Sequence, residues 1–218
     1  MGARLIPLPT GAEMRVTGAA GAAAVVCVNG GQAAGAPGTW SATLEWLVAR
    51  LSPRFPGIAF AEVRYRVKSW RRLDWCEEDA RAAIATMGAL RTLIVGFSMG
   101  GAVAVLSADA QGVEGVLGLA PWLPERLDLS RLRGRRLDVV HGRLDRALPG
   151  IPGVSPSSSR RGFERARRLG VEGSYRLIPG AVHGAAVRAP VGVGVVPLPR
   201  ARRWAALAGE RIERWAAA

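Results

Sequence analysis

One lysine, two histidines and two cysteines are all that the 218-residue chain holds of those residue types, and each scarcity excludes something. Cys27 and Cys76 stand far apart, so no disulfide framework is expected, and Cys27, inside an apolar run, reads as a small buried side chain. With only His141 and His183 and no Cys-x-x-Cys, a zinc site would have to draw on scattered carboxylates, and no metal is expected. No run reaches the roughly 18 apolar residues that a spanning helix needs. The longest small or apolar run, 19–28, ends in Asn-Gly-Gly and reads as a buried strand with its approach. Pro7, Pro9 and Gly11 stand where a signal peptide would need an apolar core, so a cytoplasmic location without a membrane partner is expected. Acidic residues are also few: 17 against 30 Lys and Arg, a formal net charge of +13. Such an excess invites a nucleic-acid reading. The basic residues, all Arg except Lys68, are dispersed, with the densest groups at 131–136, 160–168 and 200–203. They read as solvated surface, with an acidic partner surface as the alternative, and no nucleic-acid partner is expected.

What is present is the profile of a globular chain, 49% hydrophobic and 22% charged, of a length that favours one domain over two. Short runs rich in Val, Ile and Leu predict strands at 23–28, 58–66, 92–97, 115–119, 137–140 and 175–178. Helical spacing lies between them, at 39–51, 74–90, 99–109, 157–169 and 200–217. The stretch 148–159, rich in Pro, Gly and Ser, reads as a surface loop. Continuous apolar strands alternating with helices predict an α/β fold, a mostly parallel sheet covered on both faces, with chemistry at the C-terminal strand ends.

At one such end stands Gly96-Phe97-Ser98-Met99-Gly100-Gly101, a G-x-S-x-G elbow with the strand 92–95 before it and the helical run 102–106 after it. A chain with 28 glycines makes the pentapeptide cheap, and the strand–turn–helix context is what gives it weight. The flanking glycines let neighbouring backbone approach, and the turn holds the Ser98 hydroxyl above the sheet at a helix start. A serine hydroxyl needs an adjacent base oriented by a third group. Asp145 follows the strand ending at Val140, and His183 follows the strand ending at Ile178, so the order is Ser, Asp, His. Asp138 and Asp128 compete for the acid role, and His141, closing an apolar run, is assigned a structural one. Donors for an oxyanion are expected from the backbone N–H of Met99 and, in the loop Asn29-Gly30-Gly31-Gln32, of Gly31, although Asn-Gly is also a common plain turn.

These residues resemble the α/β-hydrolase superfamily over about 22–217 of a single domain spanning 1–218. The motif and length are similar to its small carboxylesterases, thioesterases and dienelactone-hydrolase-like members. The resemblance implies a Ser98–His183–Asp145 triad, no cofactor, and hydrolysis of a small-molecule ester or thioester; it sets no oligomeric state. Two departures stand out. The family's usual His-Gly at the oxyanion loop is Asn29-Gly30 here, and dienelactone hydrolases proper carry a cysteine nucleophile where this chain has Ser98. Only 120–136 separates two strands where the family inserts a cap, so no cap domain and an open site are expected. Gln32, Phe97, Met99, Trp122 and Leu123 are candidate pocket walls, with plain core packing equally open for Trp122. Arg143 and Arg146 flank Asp145 and read as solvated surface. The same triad also serves lyases, perhydrolases and acyltransferases, and the fold can persist as a binding module.

Overall fold

The computed structural model describes residues 2–19, 21–32, 34–146, 153–189 and 194–218. Six strands build the parallel part of one sheet: β3 (Ala23–Val28), β5 (Ile58–Arg64), β7 (Arg91–Phe97), β8 (Val113–Leu119), β9 (Arg136–Gly142) and β10 (Glu172–Ile178). Two more, β1 (Arg4–Pro7) and β2 (Glu13–Thr17), extend it antiparallel, giving the order β1-β2-β5-β3-β7-β8-β9-β10. The alternation of buried side chains splits the core into two layers. Val26 and Val28 of β3 join one cluster, and Val25 and Cys27 join the other. Each strand can bury both faces because helices cover both. Helices α2 (Leu73–Met87), α3 (Gly100–Leu106) and α4 (Pro156–Arg168) contribute to the first cluster, and α1 (Ala42–Leu51) and α5 (Ala201–Ala216) to the second. Trp204 of α5 is fully buried, a packing gain of about 1.5–3 kcal/mol for a large apolar side chain.

Helix boundaries follow local chemistry. Ser41 caps α1 by accepting a hydrogen bond from the Leu44 N–H at 3.3 Å, so that helix begins at Ala42 rather than at Thr39. Gly88, left-handed at φ 59°, stops α2 short of the expected Leu90. In the expected loop 148–159, residues 148–152 lie outside the described residues, and Ser155 caps α4, so Pro156 to Ser159 are already helical. The paired segments β1 and β2 have no counterpart among the expected strands: β1 is short, ends in Pro7 and is largely exposed, so it carries no periodic apolar signal. Between β8 and β9 the chain makes only one 3-10 turn, Ser130–Leu132, and no cap domain is inserted. Two small ribbons complete the chain: β4 (Ala36–Pro37) with β6 (Val67–Lys68), and β11 (Ala186–Arg188) with β12 (Val195–Pro197). Among the described residues no helix is long and apolar enough to cross a membrane, and no cluster of three or more His, Cys, Asp or Glu could hold a metal ion.

Candidate active site

Ser98 lies between the end of β7 and the start of α3 with φ 56°, the left-handed region that non-glycine residues rarely occupy. A backbone of that kind costs about 1–3 kcal/mol and persists only where its surroundings over-determine it. Three hydrogen bonds do so here: the Ser98 N–H donates to the Leu119 carbonyl at 3.0 Å, and the Ser98 carbonyl accepts from Trp122 at 2.8 Å and Gly101 at 2.9 Å. The flanking glycines are steric necessities. A Cβ on Gly96 would overlap the Gly100 carbonyl, and one on Gly100 would overlap the Val28 carbonyl. The elbow is therefore wedged between β3 and β8, and its serine stands at the C-terminal edge of the sheet.

Asp145 and His183 come from two turns that are stitched together. Arg143 N–H donates to Ile178 O at 3.0 Å and Leu144 N–H to Ala181 O at 2.9 Å, so the turn after β9 rests on the turn after β10. His183 Nδ1 lies 2.7 Å from Asp145 Oδ2. The same oxygen is 2.9 Å from His141 Nε2, and Asp145 Oδ1 accepts from the Val154 N–H at 3.1 Å. A carboxylate only accepts, so both histidine nitrogens facing it carry their protons. His141 is fully buried; its Nε2 is also 2.9 Å from the Val154 carbonyl, and its Nδ1 lies 3.0 Å from the Ser159 hydroxyl. The structural role expected for His141 thus takes a specific form, holding the Asp145 carboxylate. The signal was its four-residue spacing from Asp145 across a strand end and turn.

Burial pushes the Asp145 carboxyl up, but hydrogen bonds from His141 and His183, with their charge, outweigh it and hold it below the usual carboxylate range. A depressed folded value means that the stabilisation is complete above the unfolded pKa of about 3.9 and is lost as pH falls below it through the folded value. Urea unfolding of wild type and Asp145→Asn between pH 3 and pH 7 should accordingly show a stability gap that is full near neutrality and shrinks below about pH 4. A gap that widens toward acid would contradict this account.

The loop after β3 is organised by Asn29, whose Oδ1 accepts from the Gly30 N–H at 2.6 Å and whose Nδ2 donates to the Thr39 carbonyl at 2.7 Å. Among the described residues, the N–H groups of Gly31 and Met99 donate to no protein acceptor. Two cavities meet at Ser98. One, of about 250 Å³, is lined by Gly31, Ser98, His183, Phe97, Trp40 and Lys68 among others. The other, of about 290 Å³, is lined by Gly31, Ser98, Met99, Trp70, Trp122 and Val154. Ser98 and His183 line the first cavity together, and among the described residues Ser98 Oγ and His183 Nε2 make no hydrogen bond to each other. The Phe97 ring packs 5.0 Å from the imidazole, centroid to centroid.

Of the residues anticipated from sequence, Ser98, Asp145, His183, Gly31, Met99, Phe97 and Trp122 are brought together. Two are not. Leu123 is buried in the core against Gly162 of α4, and Gln32 uses its backbone carbonyl to accept from the Trp70 N–H at 3.1 Å while lining neither cavity. Arg143 and Arg146 are exposed. Three contributors had no sequence signature: Lys68, Trp40 and Thr43. The Thr43 hydroxyl donates to the Ala186 carbonyl at 3.0 Å and accepts from the N–H of Ala185 at 3.1 Å and of Ala186 at 3.3 Å, which fastens the loop just after His183.

No protein-family model matches the sequence, and no curated protein matches it either. Solved structures do. Est1E from Butyrivibrio proteoclasticus is similar at 12% identity with a TM-score of 0.69, all of each chain being covered. A serine hydrolase without a lid from Xanthomonas campestris is similar at 17% identity and a TM-score of 0.56, over 84% of this chain and 85% of that one. Esterase 2 of Thermogutta terrifontis, in a form phosphoramylated by tabun, is similar at 16% identity and a TM-score of 0.64, over 98% of this chain and 94% of that one. The chain therefore has the α/β-hydrolase fold, in its form without a cap.

Proposed function

We propose that this protein is a serine hydrolase that cleaves a carboxylic ester or thioester of a small substrate through an acyl-enzyme. The observation that carries the reading is the convergence on one cavity of a serine held at φ 56° and a histidine whose Nδ1 is bound to a buried carboxylate. With Nδ1–H donating to Asp145, the His183 Nε2 lone pair is left to take a proton. Ser98 Oγ attacks the carbonyl carbon while its proton passes to Nε2. The oxyanion meets the unpaired N–H groups of Met99 and Gly31, each worth about 2.7–4 kcal/mol in such a role. Collapse of the tetrahedral intermediate expels the alcohol or thiol, which takes the proton from His183. Water, deprotonated by His183, then releases the acid and restores Ser98. No cofactor enters these steps.

The two cavities suit the two halves of such a substrate. A leaving group has to stand where His183 can protonate it, and His183 lines the cavity that also holds Lys68. The acyl chain then occupies the cavity walled by Trp70 and Trp122, whose rings lie 6.5 Å apart, and its volume of about 290 Å³ suits a short acyl group. The esterases among the structural neighbours, one of them carrying an organophosphorus group, support the same chemistry. The test is stoichiometric labelling of the wild type by a fluorophosphonate, followed by a panel of short-chain acyl esters and thioesters. Folded protein that stays unlabelled and leaves the panel intact would move the binding-module reading to the front.

Asn29 supplies a sharper check on the oxyanion loop. Asn29→Leu keeps the branched side-chain shape but removes both side-chain hydrogen bonds, freeing the Gly30 N–H and releasing Thr39. We expect kcat to fall about tenfold to a hundredfold with a smaller change in KM, since donors displaced from a developing oxyanion act on the transition state. An unchanged kcat would remove this loop from the mechanism.

A further inference from the structure

The cavity that holds Ser98 and His183 contains one feature that ester hydrolysis by itself does not require, the only lysine in the chain. Lys68 stands on β6, paired with Ala36 of β4, and its Nζ donates to the Thr39 hydroxyl at 2.8 Å. Thr39 is in turn held through its carbonyl by Asn29, so the ammonium is tied to the loop that carries the Gly31 N–H. Among the described residues no carboxylate pairs with Lys68, whereas nearby Arg15 is matched by Glu45 and Glu62 and Arg64 by Glu13. Burial pushes the Lys68 ammonium down from the ordinary lysine range, and no anion opposes that push. Trp40 lines the same cavity, with the Arg15 guanidinium 4.8 Å and the Arg64 guanidinium 5.4 Å from its ring centroid. A partly buried ammonium that no carboxylate pairs among the described residues, on the wall of the cavity that holds Ser98 and His183, suits an anion.

We infer that the alcohol or thiol released by this enzyme carries an anionic group, a carboxylate by preference in a cavity of this size, and that Lys68 recognises it. The inference rests on the hydrolase reading for the position of the leaving group, because only the cavity holding His183 can accommodate it. It also separates the two ends of the substrate by chemistry. The acyl half meets Trp70, Trp122 and Met99, and the leaving half meets an ammonium and a threonine hydroxyl beside the Trp40 and Phe97 rings.

The experiment compares two acetyl esters of matched shape, 3-acetoxybenzoate and 3-acetoxybenzamide, which differ in the charge on the leaving phenol. Wild type should favour the benzoate in kcat/KM by roughly tenfold to a hundredfold, the range expected for a charge-assisted contact. Lys68→Met should abolish that ratio, and Lys68→Arg should retain most of it, which separates charge recognition from damage to the fold. Binding is read independently in Ser98→Ala by saturation-transfer NMR. There 3-hydroxybenzoate should bind more tightly than 3-hydroxybenzamide, and adding Lys68→Met should erase the difference. A wild type that cleaves both esters equally, or a preference that survives Lys68→Met in both measurements, overturns the inference while leaving the hydrolase reading in place. Lys68-dependent binding without fluorophosphonate labelling does the reverse, keeping the anion site and removing the hydrolase.

Discussion

Ser98→Ala should abolish fluorophosphonate labelling and lower kcat/KM for any ester the protein cleaves by about 10⁴ to 10⁶, or about 5–8 kcal/mol of transition-state stabilisation. The size of the effect follows from the removal of the attacking atom itself: what survives is binding and oxyanion stabilisation, which in comparable enzymes retain a small residue of rate. The same substitution should leave stability nearly untouched. Among the described residues the Ser98 hydroxyl makes no hydrogen bond to protein, and alanine at φ 56° bears the same backbone strain as serine. Parallel urea melts should therefore superimpose within about 0.5 kcal/mol. Labelling that persists in the variant would mean that another side chain is the nucleophile. A large loss of stability would mean that the elbow depends on the hydroxyl in a way the hydrogen bonds around it do not indicate.

Asp145→Ala should be damaging on both axes. For activity, loss of the group that orients His183 and stabilises the imidazolium costs on the order of 10⁴ in kcat in related arrangements. For stability, Asp145 accepts from His183, His141 and Val154, and its side chain is fully buried. Removal orphans the Val154 N–H and the His183 Nδ1–H, leaves His141 Nε2 with the Val154 carbonyl alone, and opens a void between the turns. With about 1–3 kcal/mol for each unsatisfied buried group, a loss of about 2–4 kcal/mol is expected. His183→Ala is the contrasting variant, because His183 lies on the cavity wall and its loop is held by Thr43: activity should collapse as far, with a much smaller shift of the urea midpoint. Equal and small stability effects from both variants would show that the His141–Asp145–Val154 network does not brace the two turns.

Ser98 was legible because everything that makes it an elbow is local: an apolar strand before it, an alanine- and valine-rich helix after it, and glycines where backbone must come close. Asp145 and His183 were legible as residues just past apolar strands, in an order that parallel α/β sheets allow. Most of the main strands emerged because both of their faces are buried, and the longer helices because one face is, whereas β10 is largely exposed and shows through its last residues, Leu177 and Ile178. The edge strand β1 escaped because it is short, exposed and closed by Pro7; β2 does alternate, burying Met14 and Val16, but over only five residues.

What the chain order could not reveal is which distant groups complete the site. Thr43 secures the His183 loop from 143 residues away, Lys68 enters on a two-residue ribbon, and Leu123, adjacent to the pocket residue Trp122, turns into the core instead. Periodicity and local glycine chemistry act within one element, so the sequence by itself determined the α/β layering, the elbow, and the order of serine, acid and histidine. The proton-holding role of His141 on Asp145, the unpaired N–H groups at Gly31 and Met99, and the uncompensated charge of Lys68 were decided only by the tertiary structure. Hydrogen-bond partners and counter-ions are set by side chains that meet across the sheet, and no local pattern records which of them will.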